Sequence, residues 1–244
     1  MPKMNKTENL PWYKKYLTLS ESKWIKIGTE YGGWYIPENF IKQDSICYCL
    51  GVGEDVSFDL GLINKFDCAV ISVDPTPRAI KHFQTIIENT KNGISTEIKS
   101  GNISEVYYKI NKNILDKWFF LPYGVWKENT KQKFYAPKNP EHVSHSIVNL
   151  QNTDEYFEAE CKTVKTIMQK FKHNKIDLLK MDIEGVEHDV VRSIFQDDIY
   201  PEVLLIEYDQ PCKIEKIIET TELIIRNGYT FPKLDRWNAS FKRK

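Results

Sequence analysis

With 244 residues the chain is long enough for one large α/β domain with its own core, and too short for two such domains and a long linker. Lys plus Arg and Asp plus Glu each number 34, so no global field draws in a nucleic-acid backbone or an anionic bilayer. No run approaches the roughly 20 apolar residues of a membrane span, residues 1–10 are polar, and five scattered cysteines suit free thiols, which together predict a cytoplasmic protein.

Residues 1–44 are expected to form an N-terminal cap and 45–244 a single domain. Within the cap, 24–36 alternates and is rich in Gly and aromatics around Tyr31-Gly32-Gly33-Trp34-Tyr35. A hairpin is expected there, either as edge packing or as a cover for a cofactor. A short apolar strand, 45–50, ends at glycine. Helical spacing follows over 56–66 (Phe58, Leu60, Leu62, Ile63, Phe66). Cys47 and Cys49 share one face of that strand and lack a second pair, so they are expected in the core rather than on zinc. A second strand, 68–73, ends at Asp74. Pro75 and Pro77 then break the chain before an amphipathic stretch through Ile80, Phe83, Ile86 and Ile87. This βαβα start predicts a parallel sheet with right-handed crossovers.

Residues 118–161 behave differently. Strands are expected at 119–126 and 131–135 around a polar turn, followed by a loop with Pro and His, as a β-rich insertion or lid. Alternation then returns, with helix at 163–171, strand at 176–181, helix at 187–195 and strand at 203–207. A helix over 212–226 is stopped by Asn227-Gly228, and 229–234 with 239–242 forms a closing hairpin.

Two clusters in this order carry chemistry. In Gly51-Val52-Gly53-Glu54-Asp55 the two glycines fall where a parallel strand hands over to a helix, so the backbone can turn sharply and approach a ligand. A dinucleotide site has a third glycine three residues on. Here that place is Val56, and Glu54 and Asp55 repel phosphate while tolerating a sulfonium and an ammonium. S-adenosylmethionine is therefore the expected cofactor. Asp74, 21 residues after Gly53, is placed to accept hydrogen bonds from ribose hydroxyls, or else only starts a turn or caps the next helix.

The second cluster is Lys180-Met181-Asp182-Ile183-Glu184-Gly185-Val186-Glu187, which follows a buried strand and opens a helix. Asp182 and Glu184 should stand at the carboxyl edge of the sheet, as catalytic groups or as helix-capping acids; Glu187 fits the capping role best. Methyl transfer needs a nucleophile that loses its proton, to a base or with help from a metal. Glu207 and Asp209 end the next strand, and with Asp182 they make a candidate oxygen-ligand set for Mg²⁺. His142, Ser144, His145 and Ser146 in the insertion are candidates to bind a polar substrate or act as a base, His145 first among them.

At these residues the chain resembles the FkbM-type methyltransferases. The stretches concerned are Gly51–Asp55 with Ser57-Phe58-Asp59, Asp74-Pro75-Thr76-Pro77, Leu121-Pro122-Tyr123-Gly124-Val125-Trp126, Ser144-His145-Ser146 and 179–187. The resemblance implies a Rossmann-like class I methyltransferase fold: a mostly parallel central sheet with helices on both faces, a C-terminal antiparallel hairpin and a β-rich insertion. It also implies O-methylation of a sugar or natural-product hydroxyl, with Gly51, Gly53 and Asp74 on the cofactor and Asp182 near the reacting group. Tyr123, Gly124, Val125 and Trp126 would lie near the adenine. Tyr48 stands where the wider methyltransferase pattern has an acid, so the methionine end would be met elsewhere, by Glu54 or by backbone groups. The expected partner is a carbohydrate or nucleotide-sugar precursor of a bacterial surface polysaccharide. N-methylation, methylation of a phosphoryl-linked molecule, a non-catalytic cofactor-binding protein and a homo-oligomer all stay open.

Overall fold

The computed structural model describes residues 11–19, 22–98, 106–110, 114–138, 145–149 and 152–244. Its centre is a seven-stranded sheet in the order β11-β12-β10-β9-β3-β4-β5. The five strands β3 (Ile46–Leu50), β4 (Ala69–Val73), β5 (Trp118–Leu121), β9 (Leu178–Met181) and β10 (Val203–Glu207) run parallel. The hairpin β11 (Tyr229–Asp235) and β12 (Asn238–Arg243) closes one edge antiparallel. This is the fold class expected from the sequence.

Period-two alternation divides β3 between two cores. Tyr48 and Leu50 join one with α4 (Val164–Phe171), α5 (Glu187–Gln196) and α6 (Ile214–Arg226), while Cys47 and Cys49 join the other with α1 (Ser57–Phe66) and α2 (Pro77–Asn92). All five cysteines are free, four of them buried. The expected turn chemistry is visible at α2: Thr76 caps it by accepting from the Ala79 N–H, Pro77 opens it, and Gly93 ends it at φ 70°. The N-terminal hairpin, β1 (Trp24–Ile27) and β2 (Trp34–Pro37), packs Ile27, Trp34 and Ile36 into the α1/α2 core. Among the described residues no helix is long and apolar enough to cross a membrane.

The insertion differs from expectation in three places. Trp118–Leu121 pairs in parallel with β4, so it is an edge strand of the central sheet and the insertion starts only after Leu121. The expected strand 119–126 breaks at Pro122, which has no N–H for a ladder, leaving β5 and the two-residue β6 (Gly124–Val125). Residues 156–162, expected as loop, form β8 (Tyr156–Lys162), the centre of a second sheet in the order β6-β8-β7 with β7 (Thr130–Tyr135). The alternation of β8 sets glutamates against small and aromatic residues, a weak signal for a strand that is half exposed. The short helix α3 (Ile114–Lys117) leads directly into β5.

Candidate active site

Strand register aligns the site. Leu50 pairs with Val73 and Met181, Val73 with Leu121, and Met181 with Ile206. The next residues, Gly51, Asp74, Asp182 and Glu207, therefore stand along one carboxyl edge. Between β3 and β9 the strand order reverses direction, the place where open α/β sheets bind ligands. A cavity of about 1070 Å³ opens there, at the upper end of the range for small-molecule sites and roomy enough for two reactants.

Gly51, Gly53, Glu54 and Asp74 line one end of this cavity. Gly51 has φ 69°, and a Cβ on it would lie 1.7 Å from the Asp182 carbonyl oxygen, so no other residue fits. Asp74 is buried, and all four of its lone-pair directions are used. Oδ2 accepts from the Val52 N–H at 3.0 Å and the Gly53 N–H at 2.9 Å; Oδ1 accepts from the Thr76 N–H at 2.8 Å and hydroxyl at 2.6 Å. The carboxylate braces the glycine turn, and a ribose hydroxyl would have to compete with these donors. The acidic pair is likewise occupied. Glu54 pairs with Arg78 at 2.5 Å, while Asp55 accepts from the Ser57 N–H that opens α1 and from the Thr29 hydroxyl.

The insertion forms the adjoining wall. Tyr123, Gly124, Val125, Phe134, His145 and Ile147 face the cavity. Gly124 is needed because a Cβ would meet the Phe134 ring at 2.4 Å and the Cys161 sulfur at 2.6 Å. Trp126 is not on the wall; it packs against the core with Lys127 Nζ 5.2 Å from its ring centre. His145 lies edge-on to Phe157, 5.2 Å between centroids. Ser146 ties the insertion to the β9–α5 turn by donating to the Glu184 carbonyl. His142 and Ser144 lie outside the described residues.

The side of the cavity at the β9 and β10 ends is acidic. Asp182, Glu184, Glu207 and Asp209 all line it. Glu184 is held at φ 57°, a left-handed conformation that costs about 1–2 kcal/mol in an L-residue and is followed by Gly185 at φ 95°. Asp182 accepts from Lys180 Nζ at 3.1 Å and shares a hydrogen bond with Glu207. Lys180 also donates to the Gly51 carbonyl. Burial works against its charge, but Asp182 and Asp59 outweigh burial, so its pKa is raised. Asp182 and then burial push Glu207 well above the usual carboxylate range. Burial, then Glu187 and Glu184, push Asp209 up to about 11.

The expected Mg²⁺ set is not assembled. Asp182, Glu207 and Asp209 share this end, but among the described residues no group of three or more His, Cys, Asp or Glu is disposed to hold a metal ion. Asp182 and Glu207 bind each other, and Asp182 binds Lys180, instead of a common centre. Glu187 caps as expected, accepting the Ile183 and Gly185 N–H groups through Oε1. Sequence reasoning missed Arg78, Gln210, Arg236 and Trp237 on the cavity wall; only the two-residue hairpin turn signalled that the last two project over the sheet edge.

An open α/β sheet with a glycine turn and acids at its reversal point defines the Rossmann-like class, and comparison with known proteins narrows it. The family described as the Methyltransferase FkbM domain matches residues 36–231, so the chain belongs to the FkbM methyltransferase family. Among solved structures it is similar to the methyltransferase FkbM from Methylobacillus flagellatus KT, at 13% identity and a TM-score of 0.50. That likeness covers 83% of this chain and 44% of the other, so the chain spans less than half of that protein's length. A pre-rRNA processing fibrillarin of Methanococcus jannaschii is matched at 12% identity over 93% of this chain and 85% of its own, with a TM-score of 0.42. Among curated proteins none matches.

Proposed function

We propose that the chain is an S-adenosylmethionine-dependent methyltransferase acting on a hydroxyl of a sugar or sugar nucleotide. The observation that carries the cofactor assignment is the fate of the turn's N–H groups. Those of Val52 and Gly53 go to Asp74, that of Val56 to the Tyr108 hydroxyl, and that of Ser57 to Asp55. A pyrophosphate needs such donors free at the helix N-terminus, and none of these four is. An uncharged nucleoside with a cationic tail needs only the space that the glycines leave.

When bound, the cofactor supplies an electrophilic methyl group. Gly51 and Gly53 would hold it, with Tyr123, Gly124 and Val125 along its adenine side. Asp182 is the group proposed to orient the acceptor hydroxyl and take its proton, its own position fixed by Lys180 and Glu207. Glu184 and His145 line the same cavity and would position the acceptor. A polysaccharide precursor as acceptor is supported by the family resemblance and by the Lys- and Ile-rich composition. The test is adenosylhomocysteine release across a panel of nucleotide-activated sugars, beside calorimetry of S-adenosylmethionine. Absence of any cofactor binding would end this reading.

A further inference from the structure

A two-residue turn between antiparallel strands is normally built from Asn-Gly, Asp-Gly or a leading glycine, because its first position needs a positive φ. Between β11 and β12, where Asp235 pairs with Asn238, that place is taken by Arg236 at φ 58°, and Trp237 follows it. Neither residue type favours a turn, and the first is held in a region that L side chains rarely adopt. Both line the cavity, and backbone strain of this kind gathers where a side chain is needed for a ligand. The turn is fastened to the sheet, the Trp237 carbonyl accepting the Tyr208 N–H at 3.0 Å, so both side chains are presented on a rigid base.

The charge of Arg236 is not answered as the other cations of this wall are. Arg78 is paired with Glu54 and Lys180 with Asp182. Among the described residues the Arg236 guanidinium makes no hydrogen bond or ion pair; it acts on Glu30, which is itself paired with Lys26 at 2.9 Å. Glu207 and Asp209, on the same wall, are held as neutral acids and do not neutralise it either. Glu30 is followed by Tyr31, which lines the cavity yet is 68% exposed and so stands where it opens to solvent. The loop that carries Tyr31 is held firmly. The Thr29 hydroxyl donates to Asp55 at 2.6 Å and the Thr29 N–H to Ser57 at 2.9 Å, and a Cβ on Gly32 would lie 2.7 Å from the Asp55 carboxyl. The two hairpins are tied together by the Ser240 hydroxyl, which donates to the Tyr35 carbonyl at 3.4 Å, and by Lys233 Nζ, 4.2 Å from the Tyr35 ring centre. Large aromatic side chains on fixed loops are preorganised to meet a flat surface.

We propose that the Arg236-Trp237 turn selects the acceptor and that the acceptor is linked to a nucleoside diphosphate, Arg236 pairing with the diphosphate while Trp237 and Tyr31 offer the base a surface to stack on. A guanidinium fork matches phosphate oxygens two at a time, and stacking on an aromatic ring tolerates any base. A free neutral sugar brings neither a charge nor an aromatic plane to this wall. The inference rests on the reading that a sugar or sugar nucleotide enters this cavity as methyl acceptor. Arg236 could instead meet the carboxylate of the cofactor's amino-acid end, and the experiment separates the two.

Uridine and uridine 5′-diphosphate, which differ only in the phosphates, are titrated calorimetrically into the full chain beside inorganic pyrophosphate. Each titration is run with and without saturating adenosylhomocysteine. The nucleoside diphosphate should bind about tenfold more tightly than either uridine or pyrophosphate in both cases. Arg236→Gln should bring uridine and its diphosphate within about twofold, and Trp237→Ala should bring the diphosphate within about twofold of pyrophosphate. Arg236→Gly should erase the same preference as Arg236→Gln while raising Tm by about 2–4 °C, since glycine accepts a positive φ without strain. Equal affinities of uridine and its diphosphate in the unaltered chain, or no detectable binding of either, overturn the proposal. So does pyrophosphate binding as tightly as the nucleotide, which leaves an anion site without a platform for the base. A Tm that does not rise in Arg236→Gly would make the arginine part of the turn's own stability and overturn it too. A preference that vanishes on saturation with adenosylhomocysteine would assign Arg236 to the cofactor and likewise end the proposal. Preferential diphosphate binding by a chain that binds no adenosylhomocysteine would sink the methyl-transfer reading and leave the nucleotide site standing.

Discussion

The two ends of the cavity are built from the same residue types and solve opposite problems. At the glycine turn each carboxylate is answered within the chain: Asp74 by backbone N–H groups and a threonine, Asp55 by a helix terminus, Glu54 by Arg78. At the β9 and β10 ends the carboxyls face one another, and buried oxygens of Glu187 and Asp209 lack donors. The first is complete in itself and shapes space; the second holds Glu207 and Asp209 as neutral acids, their pKa values pushed up by neighbouring carboxyls and by burial.

The sharpest way to break this comparison is at Asp182. Asp182→Asn should lower turnover by about 10²–10⁴-fold with cofactor affinity nearly unchanged, measured by steady-state kinetics beside calorimetry; full turnover would remove Asp182 from the chemistry. On the glycine side, Gly51→Ala should cost about 3 kcal/mol, roughly 6–12 °C in Tm for a chain of this size, and abolish cofactor binding, since the added carbon meets the Asp182 carbonyl. Asp74→Asn should cost about 1–3 kcal/mol, because whichever way the amide turns its NH₂ confronts two donors. A Tm equal to that of the unaltered chain would mean the turn holds itself without that brace.

The pH dependence probes the β9 and β10 side alone. Asp209, raised to about 11, and Glu207, raised well above its ordinary range, bind protons in the folded chain that an unfolded carboxyl has lost above about pH 4. Stability should therefore fall as pH rises, because the folded state holds more protons. Glu187, at about 7, adds to this loss below neutrality, whereas His188, lowered to about 4, has the opposite slope between about 4 and 6.5. Melting curves from about pH 8 to pH 9.5 avoid both, and there Asp209→Asn should flatten the decline. The smallest effect belongs to Trp126→Phe, which should leave cofactor affinity within about twofold, as Trp126 is off the cavity wall.

What was legible in the sequence followed from local rules. Period-two runs ending in Gly51, Asp74 and Asp182 located three parallel strands and the edge on which their ends align, because alternation and punctuation are written within a few residues. The insertion was legible less well. Trp118–Leu121 looks like its neighbours in composition, and only its pairing with β4, between residues 48 apart in sequence (Val70 with Trp118, Val73 with Leu121), assigns it to the central sheet. Trp126 sits one residue past a cavity-facing valine, so alternation turns it inward, which the motif alone did not reveal. Nor could charge counting tell a satisfied carboxylate from an unsatisfied one: Glu54 and Asp209 are both acids beside a strand end, and their partners, Arg78 and Glu187, come from different helices.

One side chain sets the distance between the glycine turn and Asp182. Lys180 Nζ reaches from the Gly51 carbonyl to the Asp182 carboxylate from within the sheet. It works as a ruler whose two marks are the turn proposed to seat the cofactor and the carboxylate proposed to take the proton, read from one buried atom. Movement of Tyr31, Arg236 or Trp237 at the cavity wall therefore leaves the spacing of those two marks unchanged, because it is set from within the sheet.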